Sequence, residues 1–534
     1  MGGGTNSYQE IEETDAILLW GSNARETHPI FFHHLLKGVH SGAKLYAIDP
    51  RRTSSAQWAD SWLGLDIGSD IALANAVGRE IIAAGLQHKE FIGHATTGFE
   101  EYKRAVEPYT LEYAERETGV PANVIREMAH TYAKAKTGMI CWTLGITEHH
   151  NAVDNVLSLV NLALLTGKVG RYACGLNPLR GQNNVQGGGD MGALPDRLPG
   201  FQHVEVDEYR QKFEKHWGTT IPPKRGKNLT QMFEAMATKE LRGLYVIGEN
   251  PLQSEADQHH AKRMLEGLDL MIVQDIFLTR TAELAHVVLP AAAAWCESEG
   301  TVTNSERRVQ RVRKAMEPPK GARDDIGILF ELAKRMGRDW GVPNAETIWN
   351  ELRVLSPVHA GMSYARLEAA KGLQWPCYDE AHPGELFLHS RLWEQPLTGP
   401  RVAFNPVEHD PPVEKLTPEY PFRLTTGRRL SDYNTGVQTA GYDSPLRRRE
   451  SLDLCPEDAE RLGVCEGEVV SVSSRRGTVD VAVRVDDSLR PGMTFMTLHF
   501  QDEVATNFLT IDATDPKSGT AEFKAAAVRV ERRG

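Results

Sequence analysis

The stretch at residues 176–195, LNPLRGQNNVQGGGDMGALP, combines glycines, neutral amides and one cation. A glycine-rich backbone can approach a ligand closely because it carries no Cβ atoms. The amides of Gln182, Asn183, Asn184 and Gln186 supply hydrogen-bond donors and acceptors around the permanently charged Arg180. The pattern predicts a site that grips a large polar cofactor and holds a small anion beside it. The alternative interpretation is a long surface loop.

A sequence repeat lies on either side of this stretch. DAILLWGSN (15–23) and LRGLYVIGEN (241–250) are both apolar segments that end in Gly and Asn. Gly21 precedes Asp49 by 28 residues, and Gly248 precedes Asp275 by 27. Residues at offsets of 4, 7, 10 and 14 after each Asp agree, namely Thr53, Ala56, Ala59 and Leu63 in the first copy and Thr279, Ala282, Ala285 and Leu289 in the second.

Each copy predicts a strand, a Gly-Asn turn, a helix, and a second strand that ends in an acid. This is the order of a nucleotide-binding βαβ unit, in which the turn meets phosphates and the acid meets the sugar or base. Neither copy has the full GxGxxG pattern, so NAD binding is not predicted. The repeat indicates two nucleotide-like moieties, or one true site and one decayed copy. Thr53 and Thr279 are suited to capping the helices that follow, and Asp49 and Asp275 could serve only as caps.

Other elements follow from hydrophobic pattern. Residues 153–165 are apolar almost all round, which predicts a buried helix with Gly167 as its C-cap. Residues 395–421 are rich in proline and indicate a linker. Beyond them, VSVSSRRGTVDVAVRV alternates with a period of two around Arg476-Gly477, which predicts a hairpin in a β-rich tail.

Composition limits the class of protein. The 534 residues carry a net charge of −12, which argues against nucleic acid or an anionic membrane as the main partner. No apolar run reaches the length of about 18 residues that predicts a membrane span, and the N-terminus shows no export signal. Free cysteines fit a reducing, cytoplasmic location. They lie at 141, 174, 296, 377, 455 and 465, and no two form a CxxC pair, which excludes a local iron–sulfur or zinc cassette within the chain.

Taken together, these blocks resemble the catalytic subunit of formate dehydrogenase, in the molybdopterin oxidoreductase superfamily. The resemblance covers essentially the whole chain and rests on NPLRGQNNVQGGGDMGALPD, AIDPRR, GITEHHNAVD, LLTGKVG, IGENPLQSE, VQDIFLTRTAELAHVVLPA, TTGRRLSDYNTG and AEFKAAAVRVE. We therefore expect an α/β fold with two related Rossmann-like α/β lobes followed by a C-terminal six-stranded β-barrel. The expected divisions are residues 1–177, 178–400, a linker at 401–420, and the barrel at 421–534.

The resemblance implies Mo or W held by bis-molybdopterin guanine dinucleotide, which would also explain why the α/β half occurs twice. By position, the first dinucleotide would meet Gly21, Asn23, Thr27, Asp49, Arg51, Gly68, Ser69 and Asp70. The second would meet Gly248, Asn250, Asp275 and Thr279. The pterins would lie near Leu144, Glu148 and Gln182. The tail would close over both with Gly427, Arg428, Tyr433, Asn434, Asn507 and Lys524.

The resemblance also assigns Arg180 as the cation that orients formate for oxidation to CO2, since a guanidinium holds a carboxylate by two parallel hydrogen bonds. Electrons would leave through a 4Fe–4S cluster to electron-transfer subunits. The cluster ligands, and the Cys or selenocysteine that ligates the metal, are expected in an N-terminal region outside this sequence or on a separate chain. The chain alone is therefore expected to show negligible activity.

Two departures and two alternatives accompany this interpretation. Asp432 stands where the family often has His, and Gly188-Gly189 where it often has Ala-Cys. A nitrate reductase with the same cofactor stays open, because Arg180 also suits an oxyanion. The second alternative is a non-catalytic scaffold that binds the cofactor.

Overall fold

The computed structural model describes residues 2–432, 434–436 and 449–533. The chain forms two compact units that are interleaved in sequence. The barrel unit comprises Thr5–Leu179, Gln253–Ala261 and Phe387–Gly534. The Arg180 unit comprises Met1–Gly4, Arg180–Leu252 and Lys262–Leu386. The four-part division expected from the sequence stays a prediction.

A parallel sheet of five strands, in the order β3-β2-β1-β5-β6, forms the centre of the first part of the barrel unit. The strands of this part are β1 Ala16–Trp20, β2 Lys44–Ile48, β3 Ser61–Leu63, β4 Thr96–Thr97, β5 Gly138–Trp142 and β6 Cys174–Pro178. The helices are α1 Ala24–Thr27, α2 Pro29–His40, α3 Asp70–Ala83, α4 Lys89–Ala95, α5 Phe99–Val106, α6 Leu111–Thr118, α7 Ala122–Lys134, α8 Leu144–Thr147 and α9 Ala152–Thr166.

Strand β1 is apolar because both faces of the sheet are covered. Ala16, Leu18 and Trp20 belong to one buried cluster, and Ile17 and Leu19 to another. Continuous apolar runs of this kind are typical of parallel strands with helices on both sides. The buried run ends at Trp20, so β1 ends there and the glycine turn begins at the next residue.

Helix α9 confirms the helix expected at residues 153–165. Ten of its residues are buried, which explains why its sequence is apolar almost all round. Gly167 follows it with φ of 63°, the left-handed C-cap conformation that glycine adopts at little cost. Cys141 in β5 is also buried.

Residues 180–386 contain two further sheets and a strand pair. The three-stranded parallel sheet has the order β11-β10-β9, and β12, β13 and β14 form an antiparallel sheet. The elements are α10 Val185–Asp190, β7 Arg197–Leu198, β8 Gln202–His203, α11 Asp207–Trp217, α12 Leu229–Ala237, β9 Gly243–Ile247, α13 Pro251–Ser254, α14 Gln258–Glu266, β10 Leu270–Asp275, α15 Arg280–Glu283, β11 Val287–Pro290, β12 Gly300–Thr303, β13 Arg308–Val312, α16 Asp325–Arg335, α17 Ala345–Leu355, α18 Tyr364–Ala369 and β14 Leu373–Gln374.

The sequence repeat forms the same turn in both units. Gly21 follows β1 with φ of 56°, and Gly248 follows β9 with φ of 63°. Each glycine donates its backbone N–H over 2.8 Å to the carbonyl of the residue before the repeated Asp, Ile48 in one unit and Gln274 in the other. The two sheet edges therefore end in the same local geometry. Their interpretation as Rossmann-like lobes stays a prediction.

The asparagines of the repeat also have matching bonds. The Oδ1 of Asn23 accepts hydrogen bonds from the backbone N–H and hydroxyl of Ser55, at 3.3 and 3.0 Å. The Oδ1 of Asn250 accepts the same two bonds from Thr281, at 3.2 and 2.7 Å. Both side chains therefore tie the glycine turn to the segment beyond the repeated Asp.

The tail forms a closed six-stranded barrel, as predicted, with the order β16-β20-β17-β19-β18-β21. Its elements, with the short strand before them, are β15 Val402–Ala403, β16 Phe422–Gly427, β17 Ser451–Leu454, α19 Pro456–Leu462, β18 Val469–Ser473, β19 Thr478–Val485, β20 Met493–Thr497 and β21 Ala526–Arg532. Strands β18 and β19 are antiparallel with Ser473 opposite Thr478, which confirms the hairpin around Arg476-Gly477. Within the proline-rich stretch, β15 pairs in parallel with β4. Over the described residues, no helix has both the length and the apolar character needed to cross a membrane.

Candidate functional site

Two glycines meet at the carboxyl ends of β1 and β5. The carbonyl of Gly21 accepts hydrogen bonds from the N–H of Gly145 at 3.2 Å and the hydroxyl of Thr143 at 2.6 Å. A Cβ on Gly21 would lie 2.8 Å from the carbonyl carbon of Gly145, and a Cβ on Gly145 would lie 2.5 Å from the Gly21 oxygen. Both turns therefore require glycine, and together they leave a sheet edge of bare backbone.

Asp49 ends β2 beside a stacked cation. Its Oδ1 accepts the backbone N–H of Arg51 at 2.9 Å, and burial raises the pKa of its carboxyl. The Arg51 guanidinium lies 3.6 Å from the ring centroid of Phe495. A Cβ on Gly427 would lie 2.8 Å from that ring. The acid and the cation are thus held in fixed positions at the strand end, which suits recognition of a planar polar group.

A second charged group joins α8 to the barrel. The ammonium of Lys524 lies 2.7 Å from the Glu148 carboxylate and donates to the Thr426 carbonyl at 2.9 Å. Burial lowers the pKa of Arg428, and Glu148 opposes that change. The buried Nη1 of Arg428 has no hydrogen-bond partner among the described residues. A buried donor in that state calls for an acceptor that the described residues do not supply.

The three residues at the start of α3 that were expected to meet the cofactor make contacts within the fold. Gly68 has φ of 82°, and a Cβ there would lie 2.7 Å from Pro412. The Ser69 hydroxyl donates to the Asp66 carbonyl at 2.6 Å. Asp70 accepts the indole N–H of Trp20 at 2.8 Å. Ser69 and Asp70 therefore orient the first turn of α3, and a ligand there would meet mainly their backbone groups.

Two further residues expected near the cofactor, Thr27 and Leu144, lie in different surroundings. The Thr27 hydroxyl donates to the Asn23 carbonyl at 3.2 Å and lies 2.8 Å from His28 Nδ1. Leu144 begins α8 and is half-buried. Their roles at a cofactor stay predictions.

A buried histidine pair near Glu148 was not assigned a role from the sequence. His149 places Nδ1 3.2 Å from the Glu522 carboxylate and Nε2 3.1 Å from the Gly145 carbonyl. Burial opposes protonation of His149, but Glu522 outweighs it and raises the histidine pKa. Glu522 also accepts the backbone N–H of His150 at 3.1 Å, and its own pKa is lowered. The His149 ring is therefore held between the Glu522 carboxylate and the carbonyl of Gly145, the residue that contacts Gly21.

The remaining barrel positions differ in their environment. Asn507 is buried and donates its amide to the carbonyls of Gln253 and Ser254, at 3.1 and 3.2 Å. The Asn434 carbonyl accepts from Nδ1 of His499 at 2.6 Å, and burial lowers the pKa of that histidine to about 4. Tyr433 lies outside the described residues.

In the Arg180 unit, the second copy of the repeat also places an acid, Asp275, at the end of a strand. Asp275 accepts the backbone N–H of Phe277 at 3.1 Å, and burial raises its pKa. Thr279 caps α15 by accepting the N–H of Ala282 at 3.1 Å, as predicted. Gly248 is exposed beside them. The strand end therefore presents a turn and an acid, as β1 and β2 do in the barrel unit.

In the sequence, Arg180 lies between the end of β6 and the start of α10. Its backbone N–H donates to the Ser305 hydroxyl at 2.8 Å, and its guanidinium donates to the Gly2 carbonyl. Burial lowers the pKa of Arg180, and Asp190 acts in the opposite direction. Gln182, in the same segment, is exposed.

Asp190 is a charged neighbour that the sequence interpretation did not single out. Its carboxylate accepts from the Gln186 amide at 2.8 Å and from the Trp375 indole N–H at 2.7 Å. Burial raises its pKa to about 6. The sequence offered one sign of its importance, because Asp190 lies in the same short segment as Arg180. The segment thus holds an arginine beside a buried acid that titrates near neutral pH.

Glycine turns followed by acids at the carboxyl ends of parallel strands define a class of α/β enzymes that hold nucleotide-containing cofactors. Residues 3–335 match the family model Molybdopterin oxidoreductase, and residues 422–527 match the Molydopterin dinucleotide binding domain. This chain belongs to the molybdopterin oxidoreductase family.

Relatives agree over nearly the whole chain. F420-dependent formate dehydrogenase 2 subunit alpha of Methanococcus maripaludis is 43% identical, over 99% of this chain and 78% of the relative. Formate dehydrogenase H of Escherichia coli is 39% identical, over 99% of this chain and 74% of the relative. The solved structure of acetylene hydratase from Pelobacter acetylenicus shares the fold, with a TM-score of 0.77 at 22% identity, over 99% of this chain and 79% of that one.

The cofactor of this family is a molybdopterin guanine dinucleotide that carries Mo or W. The barrel unit fits such a group, because the Nη1 of Arg428, which has no partner in the part of the chain that the structure describes, can donate to a phosphate or pterin oxygen. Gly21 and Gly145 also leave bare backbone at the sheet edge, where a phosphate can approach closely. The chain is accordingly a formate dehydrogenase-like oxidoreductase.

Proposed function

We propose that the protein oxidises formate, HCOO⁻ → CO2 + H⁺ + 2e⁻. The observation that carries this proposal is the alignment over 99% of the chain with relatives named as formate dehydrogenases, at identities of 39–43%. When bound, the metal and its two dinucleotides supply the acceptor for the two electrons. The polypeptide supplies binding, orientation and the local field.

Arg180 is the proposed formate-binding residue. Its fork of N–H groups can hold a carboxylate by two parallel hydrogen bonds, and it stays charged at any working pH. Its backbone bond to Ser305 and its guanidinium bond to Gly2 support this role, because they restrict the side chain before substrate arrives. An arginine held in this way reduces the entropy cost of orienting the substrate C–H bond.

The two dinucleotides would be held by the two copies of the repeat. In the barrel unit, Gly21, Asp49 and Arg51 would meet one nucleotide end, and Arg428 would donate to a phosphate or pterin oxygen. In the Arg180 unit, Gly248 and the acid that ends β10 would meet the other. This assignment is supported by the matching turns, in which each glycine donates to the carbonyl before the acid.

Electrons would pass to other subunits. The archaeal relatives are named as alpha subunits, which supports an assembly that contains at least one electron-transfer subunit. Formate is then the small-molecule partner, and the electron-transfer subunit is the protein partner.

The assay that tests the proposal compares substrates on one preparation. The enzyme is purified from its native cells through a tag on this chain, and its Mo, W and guanine nucleotide contents are measured. We expect formate to reduce a viologen dye, with two dye molecules reduced by one electron each per formate, and we expect no oxidation of reduced dye by nitrate. Nitrate turnover without formate turnover would show that the protein is a nitrate reductase and not a formate dehydrogenase. A preparation without metal or nucleotide would favour a scaffold.

A further inference from the structure

Arg307 is a fully buried residue of the Arg180 unit that the proposed reaction does not yet use. Its guanidinium donates to four backbone carbonyls, from Nε to Gly4 at 2.7 Å and from the terminal nitrogens to Trp375, to Glu385 at 3.1 Å and to Leu386 at 2.9 Å. A rigid fork of N–H groups can hold several carbonyls at once, which a single ammonium cannot. Arg307 therefore sets the positions of the segments that carry these carbonyls.

The turn between β12 and β13 places this side chain. Arg307 has φ of 68°, a left-handed conformation that costs energy in any residue with a Cβ atom. Such strained positions persist only where the surrounding contacts hold them, and they are common at functional sites. In the same turn, the Ser305 carbonyl accepts the backbone N–H of Gly4 at 3.2 Å. One turn thus bonds Gly4 on both sides, through Ser305 at its N–H and through Arg307 at its C=O.

The same turn is linked to both ends of Arg180. The backbone N–H of Arg180 donates to the Ser305 hydroxyl at 2.8 Å. Its guanidinium donates to the carbonyl of Gly2, two residues before the glycine that the turn holds. The backbone of Arg180 and the acceptor of its guanidinium are therefore located by one structural element.

Gly3 connects the two bonded glycines and packs directly on Arg307. A Cβ on Gly3 would lie 2.9 Å from the Arg307 Cγ and 3.3 Å from the Trp375 ring. The backbone therefore lies flat on the arginine side chain. A shift of Arg307 would move Gly3, and with it the Gly2 carbonyl to which Arg180 donates.

Arg307 is also linked to the acid beside Arg180. Trp375 accepts from the Arg307 guanidinium and donates its own backbone N–H to the Arg307 carbonyl at 3.1 Å. The indole N–H of Trp375 donates to the Asp190 carboxylate at 2.7 Å. One buried guanidinium thus holds the segment that contacts Arg180 and the residue that orients its charged neighbour.

We propose that Arg307 is the positioning residue for Arg180 and, through Gly4 and Trp375, fixes the direction of the guanidinium that binds the substrate. The inference rests on the proposed function, in which that substrate is formate. A cation that is aimed before the substrate arrives reduces the entropy cost of binding. Loss of this positioning should therefore raise KM more than it lowers kcat. A purely structural role would instead lower stability and leave KM unchanged.

Two variants disturb the link through Gly4 in different ways. Arg307→Lys keeps the charge and a donor at the far end of the side chain, but it removes the Nε donor to Gly4. Gly3→Ala keeps every hydrogen-bonding group and presses the backbone away from Arg307. Each enzyme is purified from native cells through a tag on this chain, and its kinetics with formate are expressed per bound metal. We expect KM to rise about 10-fold in Arg307→Lys and about 3-fold in Gly3→Ala, with kcat within about twofold of the wild type.

Each variant has a matched control in the same unit. Arg335→Lys changes an arginine whose side chain is 74% exposed. Gly300→Ala adds a methyl group where no described atom lies within 4 Å of the Cβ position. Both controls should keep the KM of the wild type, and thermal unfolding is measured for all five proteins. A lower Tm with an unchanged KM in both test variants would show that Arg307 serves only the fold, and would overturn the proposal.

Arg180→Lys in the same assay separates this inference from the proposed function. If Arg180→Lys raises KM and neither test variant does, the inference is overturned and formate binding by Arg180 stands. If the wild type does not oxidise formate, the proposed function fails, and crystal structures of the same proteins decide on the positioning. In these structures the Arg180 guanidinium should be displaced from the Gly2 carbonyl in both test variants and in neither control. An Arg180 that keeps its place in the test variants would overturn the inference.

Discussion

The role of Arg180 rests on the shape of its side chain as well as on its charge. In the holoenzyme, Arg180→Lys should raise KM for formate and lower kcat/KM by about 10- to 100-fold, because a point charge cannot replace two parallel hydrogen bonds. Steady-state kinetics with formate measure both constants. Arg338→Lys, at an exposed position of the same unit, is the matched control and should leave them unchanged. An unchanged KM in Arg180→Lys would remove Arg180 from the substrate site.

Because of Asp190, we expect formate binding by Arg180 to depend on pH. Burial raises its pKa to about 6, so the carboxyl is neutral below that pH and anionic above it. The anion partly neutralises Arg180, and KM for formate should therefore increase as the pH rises through 6. Asp190→Asn should keep KM low and remove this inflection. The buried Oε1 of Gln186 has no described partner, so an amide flip lets it accept from the new Asn. The same inflection in both enzymes would contradict the assignment.

Gly21 is required by contact as well as by conformation. Gly21→Ala should lower the free energy of unfolding by about 3 kcal/mol or more, because its Cβ would press on Gly145 at 2.8 Å. Gly463→Ala is the control, since Gly463 has a similar φ of 66° and no atom near its Cβ position. That change should cost only about 1 kcal/mol for the left-handed conformation. Denaturant titration compares the two, and equal losses would show that the contact with Gly145 does not matter.

Single residues were predictable from the sequence where their neighbours are local. Asp49 follows β2 and Asp275 ends β10, each at a similar distance from a glycine, so spacing alone indicated both. Glu522 could not be found in this way, because the loop that it stabilises, at His149, is 373 residues away in sequence. Asn507 was expected at the cofactor, and this stays a prediction; the spacing did not show that its amide binds the backbone of residues 253 and 254. A motif indicates that a residue matters, but not which of its atoms are already bonded.

Among the elements, the loop after α8 and the segment before β21 are joined by a buried ion pair. Glu522→Gln should destabilise the fold by about 3–5 kcal/mol, because it leaves the His149 imidazolium without its counter-charge. The control Glu331→Gln breaks only the exposed pair with Arg335 and should cost less than about 0.5 kcal/mol. Thermal and denaturant unfolding measure both losses, and a similar small loss for the two variants would mean that His149 is neutral in the fold.

The same pair gives the wild type a defined dependence on pH. The pKa of His149 is raised in the folded state, so its contribution is complete below the ordinary histidine pKa. It is lost as the pH rises through the raised value. The unfolding free energy of the wild type should therefore fall over the range above about pH 6.5 more steeply than that of Glu522→Gln.

The helix α9 and the hairpin of β18 and β19 were predictable because their patterns are local and continuous. The pairing of β15 with β4 was not, because each strand is only two residues long and the partners lie some 300 residues apart. The proline-rich stretch around β15 gave only a linker signal. Short strands with distant partners carry no periodicity of their own.

For the molecule as a whole, the cofactor is expected to act as a stabilising ligand. A preparation with metal and nucleotide should unfold at a higher Tm than one without them, since a ligand at about 100 times its Kd adds about 2.7 kcal/mol. Arg428→Ala should reduce this difference, because Arg428 would lose its bond to the cofactor. Arg461→Ala, which removes a cation 59% exposed on α19, should keep it. Differential scanning calorimetry of the three pairs, wild type, Arg428→Ala and Arg461→Ala with and without cofactor, makes the comparison, and an undiminished shift in Arg428→Ala would place the cofactor elsewhere.

The interleaving of the two units sets the order of events during synthesis. Lys524 meets Glu148 across 376 residues of chain, and β21, which closes the barrel, spans Ala526–Arg532. On the ribosome, the parallel sheet around β1 can form early, but the ion pair and the barrel must wait until residues 522–532 have emerged. The repeat at residues 15–63 therefore lacks its barrel neighbours until then. A cofactor that needs both the sheet edge and the barrel could be held only after β21 is in place.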